Sequence, residues 1–185
     1  MQLGSARGAF IRVASSRPRG LRPAAAMSGA ASGAGGGDAG GKIVTDPAEI
    51  RKIVLSAKRV AVLGIKTEAK ADQPAYYVPE YLQSAGVEIV PVPVFFPEAT
   101  EILGSKVYRR LADIPPPPLD IVDVFRKPSD LAGHLEDILA ARPKVVWLQA
   151  GISEPGFEAA VAAAGIKVVA NRCMLVEHRA AKAGL

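Results

Sequence analysis

The sequence contains a single cysteine, Cys173, among 185 residues. One thiol excludes an internal disulfide framework and any metal site built from several cysteines. Long apolar runs are also missing, whereas a membrane-spanning helix needs about 20 mainly apolar residues. The length and the 49% content of hydrophobic residues fit one globular domain with a substantial core, without room for a second domain of similar size.

Acidic residues are absent before Asp38, and this first segment carries five arginines. These arginines account for the net charge of +5, because the other 18 basic residues equal the 18 acidic residues in number. The part that can fold is therefore neutral. A neutral domain gives no reason to expect nucleic acid or a membrane surface as a partner.

Residues 1–41 are predicted to be a targeting segment followed by a flexible linker, which leaves residues 42–185 as the folded domain. The stretch up to Met27 is rich in arginine, serine and alanine, which is typical of organelle transit peptides. The glycine-rich stretch after it cannot build a core. We expect a mitochondrial location. A plastid location, a cytosolic form that starts at Met27 and a disordered start without an address are the alternatives.

Short apolar runs alternate with helical patterns from Thr45 onward. The predicted strands are 59–64, 87–92, 120–125, 144–149 and 166–171, and the predicted helices are 45–57, 74–86, 129–141 and 154–165. Strands with continuous apolar cores are typical of parallel sheets that are buried on both faces. The alternation predicts an α/β fold, a Rossmann-like, doubly wound parallel sheet of five strands in a single domain.

Glycines and prolines refine this prediction. Gly86 and Gly165 directly precede strands, where a glycine is the expected end of a helix. The link 93–119 contains a run of four prolines and is predicted to be irregular, with only a short helix near 108–111. The segment 171–179 is interpreted as the turn after the last strand.

The turn after the first strand has little glycine for a dinucleotide site. A pyrophosphate-binding loop normally has three glycines at G-x-G-x-x-G spacing, whereas this turn has only Gly64. Gly64 could let the backbone approach a phosphate or could simply end the strand. An NAD site also uses an acid at the end of the second strand, but Glu88 lies near the start of that strand. NAD is therefore disfavoured.

Cations follow several of the predicted strands. Ligands of such sheets bind beyond the carboxyl ends of the strands, and Lys66, Lys70 and Arg126 all lie there. We expect an anionic ligand held by Lys66, by an exposed Arg126 and by amides at the start of the helix after Pro74. Lys70, in a long polar loop, is expected to be solvated.

Four linked segments carry a resemblance to a known family. They are VAVLGIKTEAKADQPAYYVPEYLQSAGVEIVPV, ILGSKVYRRLADIPPPPLDIVDVFRKPSD, KVVWLQAGI and VVANRCMLVEHR, in this order across residues 59–179. The chain resembles the small stand-alone CoA-binding proteins that are related to the CoA-binding domain of the succinyl-CoA ligase alpha subunit. The resemblance implies a Rossmann-like domain that holds CoA with its 3′-phospho-ADP end across the first strand turns.

The resemblance also implies a set of CoA-binding residues. The family motifs fall on Gly64, Ile65, Lys66, Pro93, Val94, Phe125, Arg126, Gln149 and Gly151. The chain departs from the family pattern at Ile65, where relatives commonly have a small residue. It also departs at Gln73, where relatives commonly have arginine, and at Asn171, where they often have aspartate.

The ligases use a phosphorylated histidine from a second domain, and no second domain is expected in this chain. The same resemblance therefore implies binding without catalysis. His134 is predicted to be a surface or half-buried residue. Cys173, Glu177 and His178 superficially offer a nucleophile, an orienting acid and a base, but neighbouring residues on a helix point in different directions. We expect a structural role for His178. A small NAD(P)- or nucleotide-dependent enzyme, and a CoA-binding subunit of a ligase-like complex, are the alternatives; a homo-oligomer is also open.

Overall fold

The computed structural model describes residues 41–184. In chain order the helices and strands are α1 (Pro47–Ser56), β1 (Arg59–Leu63), α2 (Pro74–Ser84), β2 (Glu88–Val92), β3 (Glu101–Ile102), β4 (Ser105–Lys106), β5 (Ile121–Val124), α3 (Leu135–Ala141), β6 (Val145–Leu148), α4 (Pro155–Ala163), β7 (Lys167–Val169) and α5 (Met174–Lys182). Short 3₁₀ helices span Glu68–Lys70, Leu111–Asp113 and Pro128–His134. The predicted targeting segment and linker lie, except for Gly41, outside the described residues, and the domain boundary at residue 42 stays a prediction.

The main sheet has five parallel strands in the order β2-β1-β5-β6-β7. Strand β1 lies between two neighbours, so that Val62 pairs with Pro91 on one side and with Asp123 on the other. The chain leaves β2 and crosses back over β1 to form β5, which puts the switch point of the topology between β1 and β5. The predicted Rossmann-like α/β fold is confirmed.

Helices cover both faces of this sheet because its strands are mainly apolar. All five residues of β1 are buried. One core layer contains Ile50, Val54, Val78, Leu82 and Met174, from α1, α2 and α5. The opposite layer contains Leu131, Ile138, Phe157 and Val161, from the 3₁₀ helix Pro128–His134 and from α3 and α4. Each face therefore buries its own hydrophobic cluster.

Local sequence signals explain several helix ends. Asp46 caps α1, because its carboxylate accepts hydrogen bonds from the N–H groups of Ala48 and Glu49 at 3.2 and 3.3 Å. Gly86 and Gly165 have φ angles of +94° and +86°, the left-handed conformation in which glycine is the usual residue after a helix.

The structure differs from the sequence prediction in three segments. The link 93–119 contains the hairpin β3–β4, and its 3₁₀ helix Leu111–Asp113 begins at the end of the short helix predicted for 108–111. The helix predicted for 129–141 is a 3₁₀ helix that continues into α3. Most of the predicted turn 171–179 is the start of α5, whose buried residues Met174, His178 and Ala181 follow the helical repeat.

Candidate functional site

The carboxyl ends of β1, β2 and β5 meet beside the switch point. The N–H of Gly64 donates to the carbonyl of Val92 at 2.8 Å, and the N–H of Phe125 donates to the carbonyl of Leu63 at 2.9 Å. Residues that are far apart in sequence are therefore fixed at one edge of the sheet. Open parallel sheets bind their ligands at this edge.

Gly64 is required by the packing of two strand ends. Its φ is +89°, and a Cβ at this position would lie 2.5 Å from the carbonyl oxygen of Phe125 and 3.1 Å from Cδ of Arg126. The chain after β5 thus fills the space that a side chain would need. The glycine favours close contact between β1 and β5 rather than an open approach to a phosphate.

Of the two residues after Gly64, Ile65 lies in the core and Lys66 reaches the surface. Ile65 is 1% exposed and belongs to the core layer of α1, α2 and α5. The N–H of Lys66 donates to the carbonyl of Ala75 at 3.1 Å, while its half-buried side chain reaches the surface. Lys70 ends an exposed 3₁₀ helix. Of these side chains, that of Lys66 is the one placed to meet an anion.

An aromatic side chain lies against both cations of the predicted site. Nζ of Lys66 lies 4.8 Å from the ring centre of Phe95, and Cζ of Arg126 lies 5.4 Å from the same centre. Lys66 also lies 5.5 Å from the ring centre of Phe96. Sequence reasoning brought Lys66 and Arg126 to one edge but missed Phe95. The available signal was a pair of adjacent aromatics after a strand in a chain with only 5% aromatic residues.

Arg126 is more enclosed than the sequence suggested. Its side chain is 13% exposed, and Nη2 donates to Oδ2 of Asp130 at 2.6 Å. Its Nε is buried and has no hydrogen-bond partner within residues 41–184. A buried donor without a partner is costly. The guanidinium therefore keeps one donor, its Nε, without a partner among the described residues.

A cleft of about 280 Å³ opens over the ends of β1 and β2. It is lined by Leu63, Val92, Pro93, Val94, Pro97, Arg109, His134 and Asp137. Pro93 is buried, whereas Val94 is 39% exposed, so both family positions reach this cleft but differ in their access to solvent. Burial, together with the positive charge of Arg126, lowers the pKa of His134 below its usual value.

Of the two predicted residues after β6, Gln149 lies inside the protein and Gly151 lies at its surface. Gln149 is 4% exposed; its Nε2 donates to both carboxylate oxygens of Asp123, at 2.8 and 3.0 Å, and its Oε1 accepts from the N–H of Met174 at 3.3 Å. The N–H of exposed Gly151 donates to Oδ1 of Asn171 at 2.7 Å. Gln149 is therefore placed to hold the start of α5 rather than to contact a ligand.

Asp123 is a buried acid that sequence reasoning missed. It lies in β5 between apolar neighbours and is fully buried. Burial raises its pKa to about 7, although hydrogen bonds from Gln149 and from the N–H of Val124 act in the opposite direction. The signal in the sequence was one acid inside an otherwise apolar strand.

His178 joins two helices. Its Nδ1 lies 3.0 Å from the hydroxyl of Tyr81 in α2, and the two rings are edge to face at 5.5 Å. Burial, followed by the charge of Lys182, lowers the pKa of His178. Cys173 immediately precedes α5. His178 is thus buried between α5 and α2.

The described residues contain neither a candidate metal centre nor a membrane-spanning helix. Within residues 41–184, no group of three or more histidine, cysteine, aspartate and glutamate side chains is placed to hold a metal ion. Among the helices of that part of the chain, none is both long and apolar enough to cross a membrane.

Comparison with known families decides the identity of this fold. Residues 58–179 match the model of a family described as CoA binding domain. The chain belongs to this CoA-binding family. The resemblance found in the sequence is thereby confirmed, and the family supports CoA binding in general.

Relatives of this CoA-binding domain include proteins of bacteria and archaea. The uncharacterized protein YneT of Bacillus subtilis is 34% identical over 135 residues, which cover 73% of this chain and 96% of the relative. The solved structure of cell-free ID.343 from Thermus thermophilus is 44% identical, with a TM-score of 0.68, and covers 74% of this chain and 99% of that one. A hypothetical protein from Pyrococcus horikoshii is 32% identical, with a TM-score of 0.65, and covers 73% and 91%.

These relatives correct the predicted location. Bacillus, Thermus and Pyrococcus have no mitochondria, and the comparisons give no sign of targeting. The prediction of a mitochondrial location is therefore wrong. It rested on the arginine-rich, acid-free composition of the first residues, which is not specific to transit peptides.

Proposed function

We propose that this CoA-binding domain holds CoA at the carboxyl edge of β1, β2 and β5, and that its task is binding without chemistry of its own. The observation that carries the proposal is that Lys66 and Arg126, from two different strand ends, lie over the same ring of Phe95 at this edge. CoA carries a diphosphate and a 3′-phosphate, so it offers several anionic oxygens to such a pair of cations.

Electrostatics at this edge support the proposal. Charge-assisted hydrogen bonds to phosphate are short and strong, and arginine presents a planar fork that matches phosphate geometry. Helix α2 begins beside the same turn, and the side chain of Gln73 makes no capping hydrogen bond at its start. Pro74 has no N–H and the N–H of Tyr76 donates to the carbonyl of Gln73 at 2.9 Å, so among the described residues of this first turn the N–H of Ala75 is the one left for an anion.

The second strand argues for CoA over NAD. Glu88 lies at the amino end of β2, where its carboxylate accepts a hydrogen bond from Nε of Arg59 at 2.9 Å. The carboxyl end of β2 continues into Pro93 and Val94, which offer no acid to the hydroxyls of a ribose. The expected acid of an NAD site therefore lies at the opposite edge of the sheet.

The positions of the histidines favour binding over catalysis. His178 is 4% exposed and its Nδ1 is engaged with Tyr81. His134 lines the cleft of 280 Å³, but a single imidazole there does not make the nucleophile, base and orienting group of a covalent mechanism. We therefore place the function in the capture of the cofactor.

Mass spectrometry of ligand released from gently purified protein tests this proposal. We expect the mass of CoA or of an acyl-CoA, and we expect added CoA to be recovered chemically unchanged after incubation. Protein purified in parallel and washed at high salt serves as the control for loosely bound nucleotide, because salt weakens phosphate contacts. Recovery of NAD, or turnover of the added CoA compound, would contradict the proposal.

A further inference from the structure

The loop after β2 presents one large aromatic side chain to solvent at the proposed site. Phe95 is 55% exposed. Single exposed apolar residues are common on protein surfaces, but Phe95 has two cationic neighbours, Lys66 and Arg126, over its ring. It therefore lies where the proposed function places the phosphates.

The loop that carries Phe95 is held in a defined shape. Nη1 of Arg109 donates to the carbonyl of Phe96 at 3.2 Å, and its Nη2 donates to the carbonyls of Pro97 and Ala99 at 2.7 and 2.6 Å. Phe96 itself has a φ of +65°, which a bulky residue adopts only when its surroundings impose it. One guanidinium thus fixes three carbonyls of the loop, and the exposed ring is preorganised.

We propose that Phe95 is the stacking surface for the purine base of the bound nucleotide. This inference rests on the proposed function. Bases stack well on aromatic side chains and need no particular hydrogen bonds to do so. In a nucleotide the base lies one sugar away from the phosphate, so a ring that contacts two phosphate-binding cations is at a suitable distance.

The ring of Phe95 has different partners with and without ligand. Without ligand, Lys66 and Arg126 lie over the ring of Phe95, where its negative face attracts them. With ligand, phosphate oxygens replace the ring as the partner of these cations, and the base occupies the ring face that a cation leaves. Phe95 therefore selects ligands that combine a planar base with phosphates.

Calorimetric titrations of Phe95 variants test this inference. The ligands are CoA, adenosine 3′,5′-bisphosphate, which carries the base, and 4′-phosphopantetheine, which does not. Phe95→Leu keeps an apolar side chain but removes the aromatic face. It is expected to weaken binding of CoA and of the bisphosphate by about five- to a hundredfold. Binding of phosphopantetheine should stay unchanged, and Phe95→Tyr should restore affinity to within about threefold.

A second cation–ring pair supplies the matched control. Lys106 lies 5.3 Å from the ring centre of Tyr108, beside the β3–β4 hairpin. Tyr108→Leu removes an aromatic face from that pair and is expected to leave all three affinities unchanged. Thermal unfolding of each variant confirms that it is folded at the temperature of the titration.

The outcomes separate this inference from the proposed function. If the parent protein binds CoA and Phe95→Leu binds the bisphosphate equally well, the stacking role is overturned while CoA binding stands. Equal losses for the bisphosphate and for phosphopantetheine would also overturn it, because Phe95 would then be only an apolar part of the pocket. A parent protein that binds neither CoA nor the bisphosphate would overturn both.

Discussion

Arg126→Ala is expected to weaken CoA binding by about ten- to a hundredfold. The side chain is 13% exposed and its guanidinium is held by Asp130 at 2.6 Å, so a phosphate at this edge would meet a preorganised cation. Hydrogen bonds that involve a charged group contribute about 1.5–3 kcal/mol, and about 1.4 kcal/mol corresponds to a factor of ten in affinity. Calorimetric titration with CoA measures the loss directly.

Two further variants make this prediction specific. Arg126→Lys keeps the charge but not the planar fork, and it should recover only part of the affinity. Lys127→Ala removes the neighbouring exposed cation and should change the affinity little. If Arg126→Ala binds CoA as well as the parent protein does, Arg126 serves its ion pair with Asp130 alone and the proposed pocket is wrong.

The structure also changes the expected effect of this substitution on stability. The sequence predicted an exposed ion, and exposed ion pairs contribute only about 0–1 kcal/mol. The side chains of Arg126 and Asp130 are 13% and 35% exposed, which places the pair between an exposed and a buried one. We therefore expect a loss of about 1–2 kcal/mol in the free energy of unfolding, below the roughly 3–5 kcal/mol of a fully buried pair.

Asp123→Asn is expected to change how the free energy of unfolding depends on pH. Burial raises the pKa of Asp123 from 3.8 to about 7 in the folded chain. The unfolded chain releases this proton at about pH 4. The contribution of protonated Asp123 to the free energy of unfolding is therefore complete below about pH 4 and is lost as the pH rises through 7. Each pKa unit corresponds to about 1.4 kcal/mol, which makes the whole effect on the order of 4 kcal/mol.

Urea unfolding at pH 5 and at pH 8 measures this dependence. The Asp123→Asn variant should lack the loss seen in the parent protein over this range, and it should be the more stable of the two at pH 8. The asparagine can still accept a hydrogen bond from Nε2 of Gln149. Asp72→Asn, at an exposed position, is the matched control and should keep the parent profile. The same pH dependence in Asp123→Asn and in the parent would show that Asp123 is not the titrating group.

Much of the fold could be predicted from the sequence because strands and helices leave patterns in consecutive residues. Five apolar runs, and the glycines at positions 86 and 165, indicate alternating parallel strands and helices, and the structure has them in those places. The hairpin β3–β4 could not be predicted, because two strands of two residues each are too short to show an alternating pattern. Helix α5 was missed because its first residues were interpreted as a turn at the end of a strand.

The candidate site could be predicted in part. The rule that ligands bind beyond the strand ends was enough to bring Lys66 and Arg126 to one edge. The contact of Phe95 with both cations depends on where side chains from separate loops meet, and the pair of aromatics after β2 does not show this by itself. In the same way, the internal hydrogen bonds of Gln149 depend on where α5 begins.

Calorimetric titration of the full chain with CoA, dephospho-CoA and NAD tests the central claim most directly. CoA should bind most tightly. Dephospho-CoA, which lacks the 3′-phosphate, should bind more weakly because it offers fewer anionic oxygens to Lys66 and Arg126. NAD should also bind more weakly than CoA, since Glu88 lies at the wrong edge of the sheet to hold its ribose. Binding of NAD at least as tight as that of CoA would contradict the account.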